Sequence, residues 1–341
     1  MEQNNNYLPV LIEPNVPSYD QDNLLDIPIQ VDYKQSSTKS FIEANTIECS
    51  LDEIKDSHTI PVFLKDNEPL ISHSDFIETT WNIVKEIFYG EHILKPSIRV
   101  SHPVKGRIPT AKHKQAIDLL VHEKTLFYER CMFVIEIPSI QAEVGGNLLN
   151  LTIGGVKSYS DDNLYQRSNG DQHFKIFIGF KNRVCTNLCV WSDGLKNEIA
   201  VKGLSGLMIN IHSLIRNYNS SHHLYHLQRL SEYFITEQQF AHLVGKLRMY
   251  TFLPNNIKKT IPEMLLGDNQ ISAIVKDYYR DKSFSRNTDG NINLWRLYNL
   301  FTGSNKSTYI NQFLDRSVNA YSFTENIRWV LEGKKESWYL N

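Results

Sequence analysis

Cysteine is scarce in this chain, with four residues (Cys49, Cys131, Cys185 and Cys189) among 341. That is too few for a disulfide framework at this length, which sets aside the small stapled folds. Long apolar runs are missing as well. Nothing approaches the roughly 18 consecutive apolar residues of a spanning helix. The opening stretch, MEQNNNYLPVLIEPNVPSYD, has no basic segment followed by an apolar one, so no secretory signal is expected. A cytoplasmic protein with no membrane partner is the expectation. An excess of one charge is also lacking. The formal net charge is −2, so any surface for nucleic acid must come from local segregation of charge. No internal repeat and no self-evident catalytic motif is present.

What is present is an ordinary globular composition, 41% hydrophobic and 22% charged, with enough apolar residues to bury a core without staples. Residues 1–45 are rich in Asn, Pro, Ser and Asp and read as a flexible N-terminal arm. Thr59 to Leu64 reads as a strand. Ser72 and Asp75 form a capping pair, with Ser74 as the alternative N-cap, for a helix carrying Phe76, Ile77, Trp81, Val84, Ile87 and Phe88, with Gly90 as its terminator.

The period then changes. Ser97 to Val104 reads as a strand ending at Pro103, residues 131–140 are β-prone, and residues 147–156 alternate until Gly154-Gly155 breaks them. In residues 173–180, Phe174, Ile176 and Ile178 face one way and Lys175 and Phe177 the other. Residues 183–191 read as a further strand closed by Ser192-Asp193-Gly194.

From about Gly203 the period is helical. One helix carries Leu204, Leu207, Ile211, Leu214 and Ile215, and a second spans His222 to Phe234. A third is capped by Thr236 with Gln239, a fourth by Asp268, and later ones carry Trp295, Tyr298, Phe301 and Phe313. The expected class is α+β, a mainly antiparallel central sheet followed by a helical C-terminal half. The expected organisation is a sheet-rich domain with one long helix over 46–202 and a helical region over 203–341 packed on the sheet.

Residues 95–114, KPSIRVSHPVKGRIPTAKHK, form the strongest functional signal. Lys95, Arg99, Lys105, Arg107, Lys112 and Lys114 occur there without an acidic residue, and His102 and His113 add potential charge. Such a strand and loop can track a phosphate backbone, where Lys and Arg release counterions. A second segment, KDYYRDKSFSR, places Arg280 and Lys282 among Tyr278, Tyr279 and Phe284, an interleaving suited to stacking on single-stranded bases. Against it stands an amphipathic helix end with Asp277 and Asp281 offsetting the charge.

Other candidates have weaker chemistry. Cys185 and Cys189 on a strand would share a face at roughly 13 Å separation, too far for a shared metal or a disulfide. His222 and His226 in HHLYH stand at helical metal-ligand spacing, but position 223 is His where a zinc protease motif needs Glu; a polar helix face is the plainer reading. FTGSNKST at 301–308 lacks the glycines of a phosphate loop and follows a helix, so it reads as a turn in which Ser304 or Ser307 caps the next helix. Asp161, Asp162, Asp171 and His173 share a loop and could hold Mg²⁺, although turn-forming Asp does the same structurally. No metal or other cofactor is expected.

Four stretches, SHPVKGRIPTAKHK, EKTLFYERCMFVIEIPSI, FKIFIGFKNRVCTNLCVWSDG and DGNINLWRLYNLFTGSNKSTYINQFLDRSVNA, together resemble an uncharacterised family of unknown function from Bacteroides-group bacteria, found largely with mobile elements. The resemblance covers about residues 40–341. Phe180 to Asn187 and Asn293 to Trp295 are more distantly similar to the phage/plasmid-like protein family, departing from it at Thr186 and Leu188. Neither resemblance supplies catalytic residues. Both imply phage, plasmid or transposon biology and DNA, single-stranded or duplex, as a partner. The expected function is a non-enzymatic, DNA-associated accessory protein. The alternatives are a metal-dependent enzyme acting on nucleic acid and a protein–protein adaptor or host-defence inhibitor. A homo-oligomer stays open.

Overall fold

Ser72 starts the first long helix, α2 (His73–Ile87), with a reciprocal cap. Its hydroxyl accepts from the Asp75 N–H at 3.0 Å, and the Asp75 carboxylate accepts from the Ser72 N–H at 2.9 Å. Two donors that the helix start would leave unpaired are thereby satisfied. The computed structural model describes residues 40–57, 70–162 and 171–340. The strands are β1 (Ile47–Cys49), β2 (Ser97–Val100), β3 (Pro103–Arg107), β4 (Lys124–Tyr128), β5 (Arg130–Val144), β6 (Asn147–Ser158), β7 (Gln172–Asn182), β8 (Leu188–Cys189), β9 (Leu195–Val201), β10 (Phe234–Ile235) and β11 (Ile292–Asn293). Beside α2 the helices are α1 (Leu51–Ser57), α3 (Leu204–Asn217), α4 (Ser220–Leu230), α5 (Glu237–Tyr250), α6 (Asn255–Lys258), α7 (Asp268–Arg280), α8 (Leu294–Asn305) and α9 (Ile310–Leu331).

The fold is α+β, as the clustering of strands before helices predicts. The main sheet runs β1-β2-β5-β6-β7-β8, with β9 also paired to β7, and every pairing is antiparallel. Its centre is buried on both faces. Phe133, Ile135, Ile153, Phe174, Ile176 and Ile178 join a core with Phe76 of α2, Leu207 of α3 and Trp295 of α8. On the other face Met132, Val134, Val156 and Phe177 meet Phe41, Ile42 and the α9 residues Ile310, Phe313 and Leu314. Each fully buried side chain of this kind stabilises the fold by about 1.5–3 kcal/mol. The larger core runs from Cys49 to Tyr339, so the sheet and the helices after residue 203 share one interior.

Several expectations need correction. Gly154 and Gly155 do not break β6, which continues to Ser158. They let neighbours approach: a Cβ on Gly154 would lie 2.1 Å from the Phe133 carbonyl oxygen, and one on Gly155 would lie 2.4 Å from the Phe76 ring. Pro103 opens β3 instead of closing β2, because the chain leaves the main sheet at residues 101–102 to pair with β4. Residues 183–191 contain only the two-residue β8. Thr186 adopts φ 61°, and its N–H bonds back to the Asn182 carbonyl, so the segment begins as a turn. The helix expected over His222 to Phe234 ends at Leu230, and Phe234 joins β10. The arm expected over 1–45 is described only from residue 40, where Phe41 and Ile42 are buried. The strand expected at Thr59 to Leu64 lies outside the described residues.

Candidate nucleic-acid interface

The basic window divides between two structural settings. Lys95 is exposed in the loop before β2. Arg99 lies on β2, where its guanidinium donates to the Thr46 hydroxyl at 3.1 Å and the Thr46 carbonyl at 2.9 Å. Those bonds hold the chain at β1, which is a structural task. Lys105, Arg107, Lys112 and Lys114 belong to a separate two-stranded ribbon, β3 with β4, in register Lys105↔Leu126 and Arg107↔Lys124.

An isolated hairpin is marginal in water, so the ribbon needs anchors. Tyr128 is buried at its base, and Thr125 and Ala111 are buried toward its tip. Gly106 permits close pairing, since a Cβ there would lie 2.7 Å from the Thr125 hydroxyl. Three short 3₁₀ turns, Pro109–Ala111, Ala116–Asp118 and Val121–Glu123, build the tip. Glu123 organises them: its carboxylate accepts the Leu120 N–H at 2.9 Å and pairs with Lys114 at 2.5 Å. Lys114, with the Leu120 N–H, holds the Glu123 carboxyl below the usual range. Arg107 donates to the Lys114 carbonyl. Arg107 and Lys114 therefore brace the tip, while Lys105, Lys112 and Lys124 are exposed and have no ion pair among the described residues. His102 and His113 are exposed as well.

The tip also carries a feature that the reading of charge missed. Ile117 and Val121 are 88% and 86% exposed, and Leu120 is exposed beside them. The available signal was a short apolar cluster, Leu119 to Val121, outside any strand or helix period. Lys124 was missed because it lies ten residues past the window and becomes Arg107's partner only through pairing.

The second basic segment is altered by the fold. Tyr278 is fully buried, stacked on Phe240 at 4.0 Å, with its hydroxyl donating to the Gly290 carbonyl. Phe284 is buried too. Tyr279 is exposed, but its hydroxyl donates to Glu237 at 2.7 Å and Arg286 lies over its ring at 5.1 Å. The aromatic residues read as a stacking platform are thus core or surface-bridging groups. Arg280 and Lys282, at the end of α7, are exposed cations without that platform.

The remaining candidates resolve one by one. Among the described residues all four cysteines are free thiols. Cys185 sits in the turn before β8 and Cys189 is buried on β8, so they are not on one strand. In FTGSNKST, residues 301–305 are still α8, and α9 starts behind Tyr309 without a side-chain cap, so neither Ser304 nor Ser307 caps it. The Lys306 ammonium donates to the Cys185 carbonyl and, at 2.8 Å, to the Thr186 hydroxyl, while its carbonyl accepts from the Glu43 and Ala44 N–H groups. Lys306 ties three chain segments together. The two motif segments also meet: Asn187 donates to the Asn299 carbonyl at 2.9 Å, and Asn293 caps α8.

In the acidic loop, residues 163–170 lie outside the described residues. Asp162 and Lys157 form a fully buried ion pair at 2.9 Å, and Asp162 also accepts the His173 N–H at 2.7 Å. Burial lowers the Lys157 pKa, with Asp162 opposing. Burial raises that of Asp161, with Lys175 opposing. Asp162 is therefore committed inside the protein, which removes one carboxylate that a metal centre here would need. Among the described residues no three His, Cys, Asp or Glu side chains converge on a metal-sized site. Asp161, His173, Lys175, Glu198 and Asp315 instead line a cleft of about 390 Å³. It adjoins a second of about 600 Å³ at Asn197 and Asp315. No described helix is long and apolar enough to cross a membrane.

Residues 26–340 match a family described as "Domain of unknown function, B. Theta Gene description (DUF3871)". No curated protein and no solved structure matches the chain.

Proposed function

We propose, for a chain that belongs to the DUF3871 family of unknown function, a non-enzymatic role as a nucleic-acid-binding accessory protein of a mobile element, with the β3–β4 ribbon as the contact. The mobile-element setting rests on the sequence resemblance alone. The binding mode rests on one observation: an antiparallel ribbon, separate from the main sheet, that exposes Lys105, Lys112 and Lys124 around a braced tip. A two-stranded ribbon fits the major groove of a duplex. Lysines on it would release counterions from phosphate, giving affinity without sequence preference. Exposed apolar residues beside such cations suit contact with unstacked bases, as in proteins that insert apolar wedges between base steps.

The test is anisotropy titration of fluorescent single-stranded and duplex DNA over a range of salt. Binding should weaken steeply with salt. Lys105→Ala, Lys112→Ala and Lys124→Ala together should reduce the slope of log K against log salt by up to about 2–3. Lys95→Ala and Arg280→Ala measure the contributions of the cations outside the ribbon. Absence of binding at low salt, or a slope unchanged by the triple substitution, would overturn the ribbon as the interface.

A further inference from the structure

The HHLYH run lies on α4, where its first and last imidazoles meet. His222 Nε2 and His226 Nε2 are 3.2 Å apart, with ring planes at 88°. We infer that these two nitrogens form an open chelate for a divalent transition-metal ion of the zinc, nickel or copper type. Two imidazoles on one tetrahedral zinc ion, each at about 2.0–2.1 Å, place their nitrogens about 3.3 Å apart. The described separation is already close to that value.

The surroundings hold the pair in that geometry. Glu325 of α9 places a carboxylate oxygen 3.6 Å from the far nitrogen, Nδ1, of His226. Arg328 fixes that carboxylate with bonds of 2.7 and 3.0 Å. A carboxylate facing the outer N–H of a ligand imidazole sets its tautomer, leaving the Nε2 lone pair for the metal. Trp191 packs against both rings, at 4.9 and 5.3 Å between centroids. His223 is turned the other way, into the interior, where its Nδ1 meets the Tyr218 hydroxyl. It is not a ligand.

Without metal, the close nitrogens share one proton, the N–H of one ring pointing at the lone pair of the other. For a metal ion to bind, the donating ring takes the tautomer with its proton on Nδ1, exchanged through solvent, so that both Nε2 lone pairs face the ion. Imidazole nitrogen selects borderline ions over Mg²⁺ and Ca²⁺, which take oxygen ligands. No third His, Cys, Asp or Glu completes the sphere among the described residues. Its remaining positions are open to water or to a donor from outside the chain.

The test uses the full chain, stripped of metal, titrated with Zn²⁺ by calorimetry and loaded with Cu²⁺ for electron paramagnetic resonance. One Zn²⁺ should bind per chain, and the Cu²⁺ spectrum should show coupling to two nitrogens. His222→Ala removes an exposed side chain, so the fold should survive it. It should weaken Zn²⁺ at least about tenfold and leave one coupled nitrogen. Glu325→Gln should weaken binding by about 10–100-fold. His113→Ala, a histidine on the ribbon, should change neither readout. Lack of saturable binding, stoichiometric binding that persists after both His222→Ala and His226→Ala, or coupling to fewer than two nitrogens in the unaltered chain would overturn the assignment.

Discussion

His223 illustrates what burial does to a single titratable residue. Its ring is fully buried beneath α4, hydrogen-bonded to the Tyr218 hydroxyl and flanked by Phe180, Trp191 and Tyr321. Burial first, then the neighbouring His226 and His222, pushes its pKa down to about 3. Above about pH 6.5 the imidazole is neutral in both the folded and the unfolded chain. Between about 6.5 and about 3 only the unfolded chain takes up the proton, so stability present at neutral pH is lost as the pH falls. The slope is about 1.4 kcal/mol per pH unit. Urea unfolding at pH 7.0 and 5.5 should show the wild-type chain losing about 1.4 kcal/mol more than His223→Gln, since the other titrating groups are common to both. Equal losses would mean that His223 is protonated in the folded state. The sequence marks three histidines in five residues as a polar helix face. It does not say which one turns inward, because the helical period alone does not locate the core.

Among the elements, helix starts are the legible features, although Asp268 is the first helical residue of α7 and Gly267 stands at the cap position. The capping pairs at Ser72 with Asp75 and Thr236 with Gln239 both form, because each needs only residues three apart. The β5–β6 turn shows where local rules stop. Gly145 and Gly146 have φ of 54° and 78°, the left-handed pair that a two-residue hairpin requires. Locally the two are alike, but only Gly145 faces the helices. A Cβ there would lie 2.4 Å from the Trp295 indole, whose N–H donates to Asn147 at 2.9 Å, whereas Gly146 has nothing within 4 Å. Gly145→Ala is expected to destabilise by about 2–4 kcal/mol, combining backbone strain with the clash, and Gly146→Ala by about 1 kcal/mol. Chemical denaturation of the two variants checks the order, and equal losses would argue against the docking of the turn on α8. The ribbon follows the same logic. Its cations are visible in the sequence, but their division into braces (Arg107, Lys114) and exposed groups (Lys105, Lys112) depends on Glu123 and the Lys114 carbonyl being brought to them.

The whole molecule behaves as one body from about residue 40 onward. Phe133 and Phe174 from the sheet and Leu207, Trp295 and Tyr298 from the helices lie in a single core. Loss of either half would expose the other's apolar surface. Urea unfolding followed by tryptophan fluorescence and by far-ultraviolet circular dichroism should therefore give coincident curves, and residues 203–341 alone should not fold cooperatively. Two separated transitions would instead indicate sheet and helices stable independently.

The sequence by itself determined the class: strands before helices, two helix caps, the α2 period and the alternation around Phe174 to Ile178. These are set by contacts between residues close along the chain or by a period of two or 3.6. Only the tertiary structure decided which charged and aromatic residues reach solvent. Tyr278 and Phe284 were absorbed into the core, and Asp162 into a buried ion pair. Arg99 was committed to Thr46. His226, with His222 beside it, was placed against Glu325, ninety-nine residues further along the chain. The physical reason is that burial and pairing depend on what lies across the sheet or on the next helix. Residues distant in the chain become neighbours there, and no local period records them.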